Sequence, residues 1–287
     1  MPQEVVAYLQ IVRIVSLLPG ATESLFALGL GEQVVGVTHE CDWPPAAARL
    51  PRVTRSNLAL DGLDGGGIEL AVNTATGRGE PLYGIDTDLI RALRPDLVIS
   101  QDVCHVCAVP GDQVASELGG LPMLRQHPHS LEDVFRDIEA LATACGLGRT
   151  TLGDRLRERV EAVRAATSGQ ARIRGVFLEW LDPPYRAGHW TPDLLQAAGI
   201  DDPFGSHGVP SVPITWEQVR DAKPEVLILA PCGFDEARAV AEAGRMASAI
   251  APVGARRVVV LDGSAYFNRP GPRLADSAEL LARSVRP

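Results

Sequence analysis

Apolar and polar positions alternate along this chain in two rhythms. Short β-branched runs give way, after Gly- or Pro-rich turns, to stretches with the spacing of an amphipathic helix. Residues 11–18, IVRIVSLL, are the first run and end at Pro19-Gly20. Thr22 is placed to cap the helical pattern ESLFALGLG, which stops at Gly29 and Gly31. QVVGVTH reads as a second strand running into the polar loop ECDWPP. Residues 55–84 are rich in Gly and Asp, with GLDGGG and TGRG, and read as an irregular loop holding at most one short strand, IELAV. IDTDLIRALRP is then a helix, DLVIS a strand, DQVASELGG a helix and LPMLRQ a strand. Ser130-Leu-Glu-Asp133 opens a helix as a capping-box variant that runs to about Cys145-Gly146.

A longer helical pattern follows at 149–166, roughly 27 Å at about 1.5 Å per residue. The alternation then restarts: RGVFLEW as strand, TPDLLQAAG and ITWEQVRDAKP as helices, EVLILA as strand. DEARAVAEAGRMASAI is a helix, RRVVVLDG a strand and ADSAELLARSV a final helix. Strand–loop–helix alternation predicts an α/β fold of two Rossmann-like lobes, each with a parallel sheet covered by helices. A single long helix joins the lobes, with the ligand cleft between them. The boundaries are 11–147 for the N-terminal lobe, 148–168 for the linking helix and 169–287 for the C-terminal lobe. The phrases LIRALRPDLVIS and QVRDAKPEVLILA share a helix–strand rhythm, as expected of two lobes built alike.

Composition narrows the function classes. With 287 residues, 46% hydrophobic and 22% charged, the chain can bury two ordinary cores. A formal net charge of -9 argues against a nucleic-acid partner, which needs a basic face. Five scattered cysteines make no disulfide framework. The opening MPQEVVAYLQIVRIVSLLPG lacks the basic and apolar regions of a signal peptide, and no apolar run is long enough to span a membrane. The expectation is a monomer that stays in the cytoplasm as written, or a periplasmic or cell-surface protein if the start site is misplaced. No GxSxG, HExxH or P-loop signature is present, so the chain reads as no enzyme.

In open α/β sheets ligands bind beyond the carboxyl ends of the strands. The loops there are PGAT, HECDWPP, SQDVCHVC, LDPPYRAGHW, PCGF and SAYFNRPGPR. Aromatic residues are 5% of the chain, yet Trp43, Trp180, Tyr185, Trp190, Phe234, Tyr266 and Phe267 gather in or beside these loops. Such rigid surfaces suit a large, flat, partly apolar ligand. Arg269 and Arg273 can donate to its polar groups or form a surface ion pair. Pro19 and Thr22 stand at a helix N-terminus, where free N–H groups can meet a ligand. His39, His105, His189 and His207 are candidate imidazole ligands to a bound metal, His39 and His189 foremost; each also reads as a hydrogen-bonded loop histidine. Cys104 and Cys107 frame a CxxC with several readings: a small, semi-apolar loop wall or an adventitious disulfide, a contact to the ligand, or a zinc site completed by His39 and Cys41.

SLLPGATESLFALGL followed by GVTHECDWPP resembles the opening of the vitamin B12 (cobalamin)-binding solute receptors of ABC importers. FLEWLDPPYRAGHW, SVPITWEQV and DGSAYFNRPGPRL resemble that family's later segments, so the likeness runs from about residue 12 to about 284. It implies the periplasmic-binding-protein-like fold with a helical backbone, a corrinoid (cobalamin) in the cleft and no catalysis. It also implies docking onto importer membrane subunits through Asp88 and Glu217, the first standing where the family more often has Glu. The wider group includes receptors for haem and iron–siderophore complexes, which are the alternative ligands. An alternative of another class is a cytoplasmic zinc or thiol protein using His39, Cys41, Cys104 and Cys107. Polar TRSN replaces the family's tryptophan after LPRV, and no exported leader is seen.

Overall fold

The computed structural model describes residues 12–286 other than 104, 105 and 107. The first lobe begins with β1 (Ile14–Ser16), α1 (Pro19–Ala27), β2 (Val34–Val37), β3 (Thr54–Ser56), α2 (Gly65–Gly77) and β4 (Tyr83–Ile85). It continues through α3 (Thr87–Leu93), β5 (Leu97–Gln101), α4 (Gly111–Glu117), β6 (Met123–Gln126) and α5 (Leu131–Ala144). β2-β1-β5-β6 form a parallel sheet, and β3 pairs antiparallel with β4 as a separate ribbon. The long helix α6 (Leu152–Thr167) follows.

The second lobe runs β7 (Ile173–Leu181), β8 (Pro184–Arg186), α7 (Thr191–Ala197), β9 (Ile200–Asp201), α8 (Trp216–Asp221) and β10 (Val226–Leu229). It ends with α9 (Glu236–Arg245), α10 (Ala247–Ile250), β11 (Arg257–Val260), α11 (Gly263–Tyr266) and α12 (Leu274–Val285). Its sheet has the order β11-β10-β7-β8, parallel apart from the β7–β8 hairpin. The fully buried runs Ile14–Ser16 and Val226–Leu229 explain why these strands read as unbroken apolar stretches. The α/β class with two lobes and parallel sheets therefore stands.

The largest apolar core is shared between segments. Leu131, Val134, Phe135 and Ile138 of α5 pack with Leu152, Leu156, Val160 and Val163 of α6 and with residues of α7 and α12. On its other side α5 places Leu141 in the core of the first lobe. Charged contacts reinforce the joint: Arg157 reaches Glu132 at 2.7 Å and Glu139 at 2.6 Å, and Arg159 reaches Asp276 at 2.5 Å. α5 starts with the full capping box read from the sequence, Ser130 and Asp133 bonding each other's backbone.

Two expectations fail. The 55–84 stretch is not a loop with a strand at IELAV: Gly65–Gly77 is a helix. Asp64 caps it by accepting from the Gly67 N–H at 2.8 Å, and the run Gly65–Gly67 occupies the first turn, which it does not have to propagate. Thr22 is not a cap either. α1 starts at Pro19, whose preset φ and missing N–H suit the first helical position. Thr22 is fully buried inside the helix, its Oγ1 2.9 Å from Ser16 Oγ and 3.2 Å from the Leu18 carbonyl.

Candidate functional site

All strands of the first sheet and most of the second are parallel, so their carboxyl-end loops fall together, and where the two lobes meet these loops touch. A Cβ on Gly20 would lie 2.3 Å from the Pro270 carbonyl oxygen, so the start of α1 rests directly on the loop after α11. At this contact Arg269, from the second lobe, reaches into the first. It donates to Glu23 at 3.3 Å, to both oxygens of Asp42, to the Glu40 carbonyl at 3.3 Å and to Ser264 at 3.0 Å. Arg273 lies 3.8 Å from Glu23 and spreads its guanidinium over the rings of Trp43, at 5.3 Å, and Tyr266, at 4.8 Å.

Burial decides the charge here. Glu23 is 4% exposed, and burial lifts its carboxyl to about 7 against the opposing pull of Arg269 and Arg273. Its Oε2 has no hydrogen-bond partner among the described residues. Burial also acts on Asp42, but the hydrogen bonds and charge of Arg269 outweigh it and hold that carboxyl below its ordinary range. Beside the cluster opens a groove of about 320 Å³ lined by Glu23, Phe26, Ala27, Trp43, Pro44, Pro272 and Arg273, with both lobes contributing. Another hollow, of about 330 Å³, lies within the second lobe against Arg172, Arg174 and Asp202. Its arginines are already paired, Arg172 with Asp201 and Arg174 with Glu225, and the first lobe supplies none of its lining.

The sequence-predicted residues divide. Pro19, half-buried, starts α1 at the lobe contact. Trp43 is 48% exposed, and Trp180, Tyr185 and Tyr266 are half-buried. Trp180 packs edge-on to Phe234 at 5.1 Å, and its Nε1 is buried with no partner among the described residues. Tyr185 donates its hydroxyl to Glu69 of α2 at 2.7 Å; burial and that carboxylate push the phenol up to about 12. Trp190 and Phe267 are core residues, 6% and 1% exposed: the indole Nε1 donates to the Phe267 carbonyl at 2.8 Å, which leaves neither a face for a ligand. Arg269 is a buried ion-pair hub, not a surface pair.

Among the described residues His39 and Cys41 do not converge on one site. His39 Nδ1 meets Thr54 Oγ1 at 2.7 Å, and burial lowers its pKa. Cys41 is fully buried in the first-lobe core with Sγ 3.1 Å from Thr22 Oγ1, and burial pushes the thiol up to about 11, so it remains a thiol. A zinc site using His39 with Cys41 is not formed, and no group of three or more His, Cys, Asp or Glu among the described residues is set to hold a metal. Cys104, His105 and Cys107 lie outside the described residues. His189 adopts φ 50°, stacks with His129 at 6.2 Å, and is pushed down to about 4 by burial and by the charge of His129; its Nε2 is buried and unpartnered among the described residues. His207 is exposed and pairs with Asp193 at 2.7 Å. Asp88 and Glu217 are exposed, each in the first turn of a helix, one on each lobe.

Sequence reasoning missed Glu23, Asp42, Glu69, Glu242 and Arg245 as inter-lobe residues. A signal existed for Glu23, an isolated acid in the apolar helix ATESLFALG. No comparable signal marks the others, because their partners lie far along the chain.

Residues 14–265 match the periplasmic binding protein family. The chain is 27% identical over 282 residues to the vitamin B12-binding protein of Vibrio cholerae serotype O1, an alignment covering 93% of this chain and 86% of that one. The crystal structure of the periplasmic vitamin B12 binding protein BtuF of Vibrio cholerae superposes with a TM-score of 0.67 at 23% identity, covering 95% of this chain and 96% of that one. A periplasmic heme binding protein from Pseudomonas aeruginosa gives a TM-score of 0.70 at 21% identity, covering 95% and 92%. Among the described residues no helix is long and apolar enough to cross a membrane.

Proposed function

The chain belongs to the periplasmic binding protein family, and from that premise we propose that it is a non-catalytic receptor holding a corrinoid, cobalamin, between its lobes. The observation that carries this reading is the placing of aromatic side chains at contacts between the lobes: Trp43 and Tyr266 about Arg273, and Trp180 and Tyr185 against α2. These are rigid aromatic surfaces set beside charged groups that can orient a large flat ligand rimmed by amides. The near full-length likeness to vitamin B12-binding proteins supports a corrinoid in particular. His189 is the residue we assign to the cobalt: burial keeps its imidazole neutral, and its buried Nε2 has a free position among the described residues.

Haem is the second reading, favoured by the likeness in fold to a heme binding protein. Tyr185 speaks against a tyrosinate–iron bond, because burial and Glu69 make its phenol harder to ionise. We further propose that Asp88 and Glu217 dock the loaded protein onto the membrane subunits of an ABC importer. On this reading it works outside the cytoplasm, in the compartment its relative is named for.

Titration of the purified protein with cyanocobalamin, hydroxocobalamin and haemin, followed by calorimetry and visible absorption, tests the assignment. One-to-one binding of cobalamins, with a spectral shift for the hydroxo form that disappears in His189→Ala, is expected. Folded protein that binds haemin and neither cobalamin would overturn the corrinoid reading.

A further inference from the structure

Helix α2 is the element the sequence did not reveal, and it does not stay in its own lobe. It is 13 residues long, about 20 Å at ~1.5 Å per residue. Its far end leads back into the first lobe, where Asn57 bonds the Leu82 and Pro81 carbonyls at the base of the β3–β4 ribbon. Its N-terminus lies on the second lobe. The Gly65 N–H donates to buried Glu242 at 3.2 Å, Asp64 sits 3.6 Å from Arg245, and Arg238 donates to the Leu63 carbonyl at 3.1 Å. Glu69, one turn further, accepts from Tyr185.

The glycine run fits this seat. A Cβ on Gly65 would meet Glu242 Oε1 at 2.5 Å and Trp180 Cε2 at 3.6 Å; one on Gly66 would meet Asp182 Oδ2 at 2.7 Å. Glycines at these two positions allow the free N–H groups of a helix start, with their partial positive charge, to settle against carboxylates of the other lobe. The seat includes Trp180 and Tyr185, two of the aromatic faces assigned above to the ligand.

We propose that α2 is a strap that covers the second-lobe face of the cleft, and that a flat ligand reaches Trp180 and Tyr185 only after the strap's glycine end has left Glu242 and Asp182. This rests on the cleft being the ligand site. The strap's attachment is of a kind that can open: its buried residues are Gly65 and Ala75, Leu70 is 69% exposed, and its contacts to the second lobe are mostly polar, which are individually weak beside apolar burial. The anchored β3–β4 end provides the pivot.

A reversible lock tests this. A Cβ at Gly66 lies 3.3 Å from Asp182 Cγ, close to the spacing across half a disulfide, so Gly66→Cys with Asp182→Cys can bridge strap and seat. Oxidised protein, with the bridge confirmed by mass, is expected to associate with cyanocobalamin at least 100-fold more slowly than the same protein reduced, while the oxidant leaves the association rate of the wild-type protein unchanged. Equal association rates with the bridge formed would sink the strap. If reduced protein binds neither cobalamin nor haemin, the ligand reading has failed, and amide exchange judges the strap separately. The amides of 68–77 should then exchange at least 10-fold faster in reduced than in oxidised protein; equal exchange overturns the proposal. Should the bridge not form, Asp64→Asn with Glu69→Gln loosens the strap from its own side and is expected to speed association several-fold, an unchanged rate counting against it.

Discussion

The buried carboxyl of Glu23 makes a quantitative prediction about stability and pH. In the unfolded chain this group titrates near 4.5; in the folded protein burial raises it to about 7, although Arg269 and Arg273 stand beside it. The native state therefore binds the proton more tightly than the unfolded state. The sign follows: this contribution is fully present below pH 4.5 and is lost as pH rises through about 7. At about 1.36 kcal/mol per pH unit between the two values the full loss is about 3 kcal/mol, of which about 2 to 3 falls between pH 5 and pH 8. Other groups titrate in the same window; burial also lifts Asp137, to about 6. The clean measurement is thus a difference. Urea unfolding of wild type and Glu23→Gln at pH 5 and pH 8 should show the variant gaining about 2 to 3 kcal/mol on wild type as pH rises. The glutamine keeps an acceptor for Arg269, so the fold is retained. Parallel pH profiles for the two proteins would refute the idea that burial, not pairing, governs this carboxyl.

Further outcomes follow from the same geometry. Trp43→Ala removes a half-exposed ring that stacks with Arg273; calorimetry should show cobalamin binding weakened about 10-fold, roughly 1.4 kcal/mol, with the thermal midpoint nearly unchanged. Trp190→Ala, by contrast, opens a core and strips the Phe267 carbonyl of its donor, so it should cost about 3–5 kcal/mol in urea unfolding while the folded fraction binds ligand as wild type does. Ser130→Ala breaks the capping box of α5 and should cost about 1 kcal/mol by the same assay. Asp88→Ala with Glu217→Ala should leave ligand affinity in solution untouched and abolish uptake through a reconstituted importer; intact uptake would remove both residues from the docking role.

The elements whose signals are local were legible. β1, β5, β10 and the parallel sheets they belong to follow from apolar runs punctuated by Gly and Pro, and the α5 capping box from four adjacent residues. The candidate site was legible in part. Strand-end loops could be located, and four aromatic side chains from them stand near the lobe contact. Trp190 and Phe267 come from the same loops and go into the core, because the backbone carries one ring toward the cleft and its neighbour inward. That direction depends on loop geometry, which sequence spacing does not encode. The same limit explains His39 and Cys41: two residues apart in one loop, they end against Thr54 and in the core respectively.

What the sequence determined by itself is the rhythm of strands and helices, the two-lobed α/β class and, through its motifs, the family of binding proteins to which it belongs. Periodicity and capping are set within a few residues, so a linear reading contains them. The tertiary structure decided what happens across 100 to 250 positions of chain: Glu23 against Arg269, Gly65 against Glu242, Glu69 against Tyr185. It also turned a glycine-rich stretch that looks like loop into a helix seated on the opposite lobe. The reason is physical. A carboxyl lifted by burial meets the opposing charge of arginines from the other lobe, and glycines that weaken an isolated helix become useful once a second surface approaches too closely for any side chain.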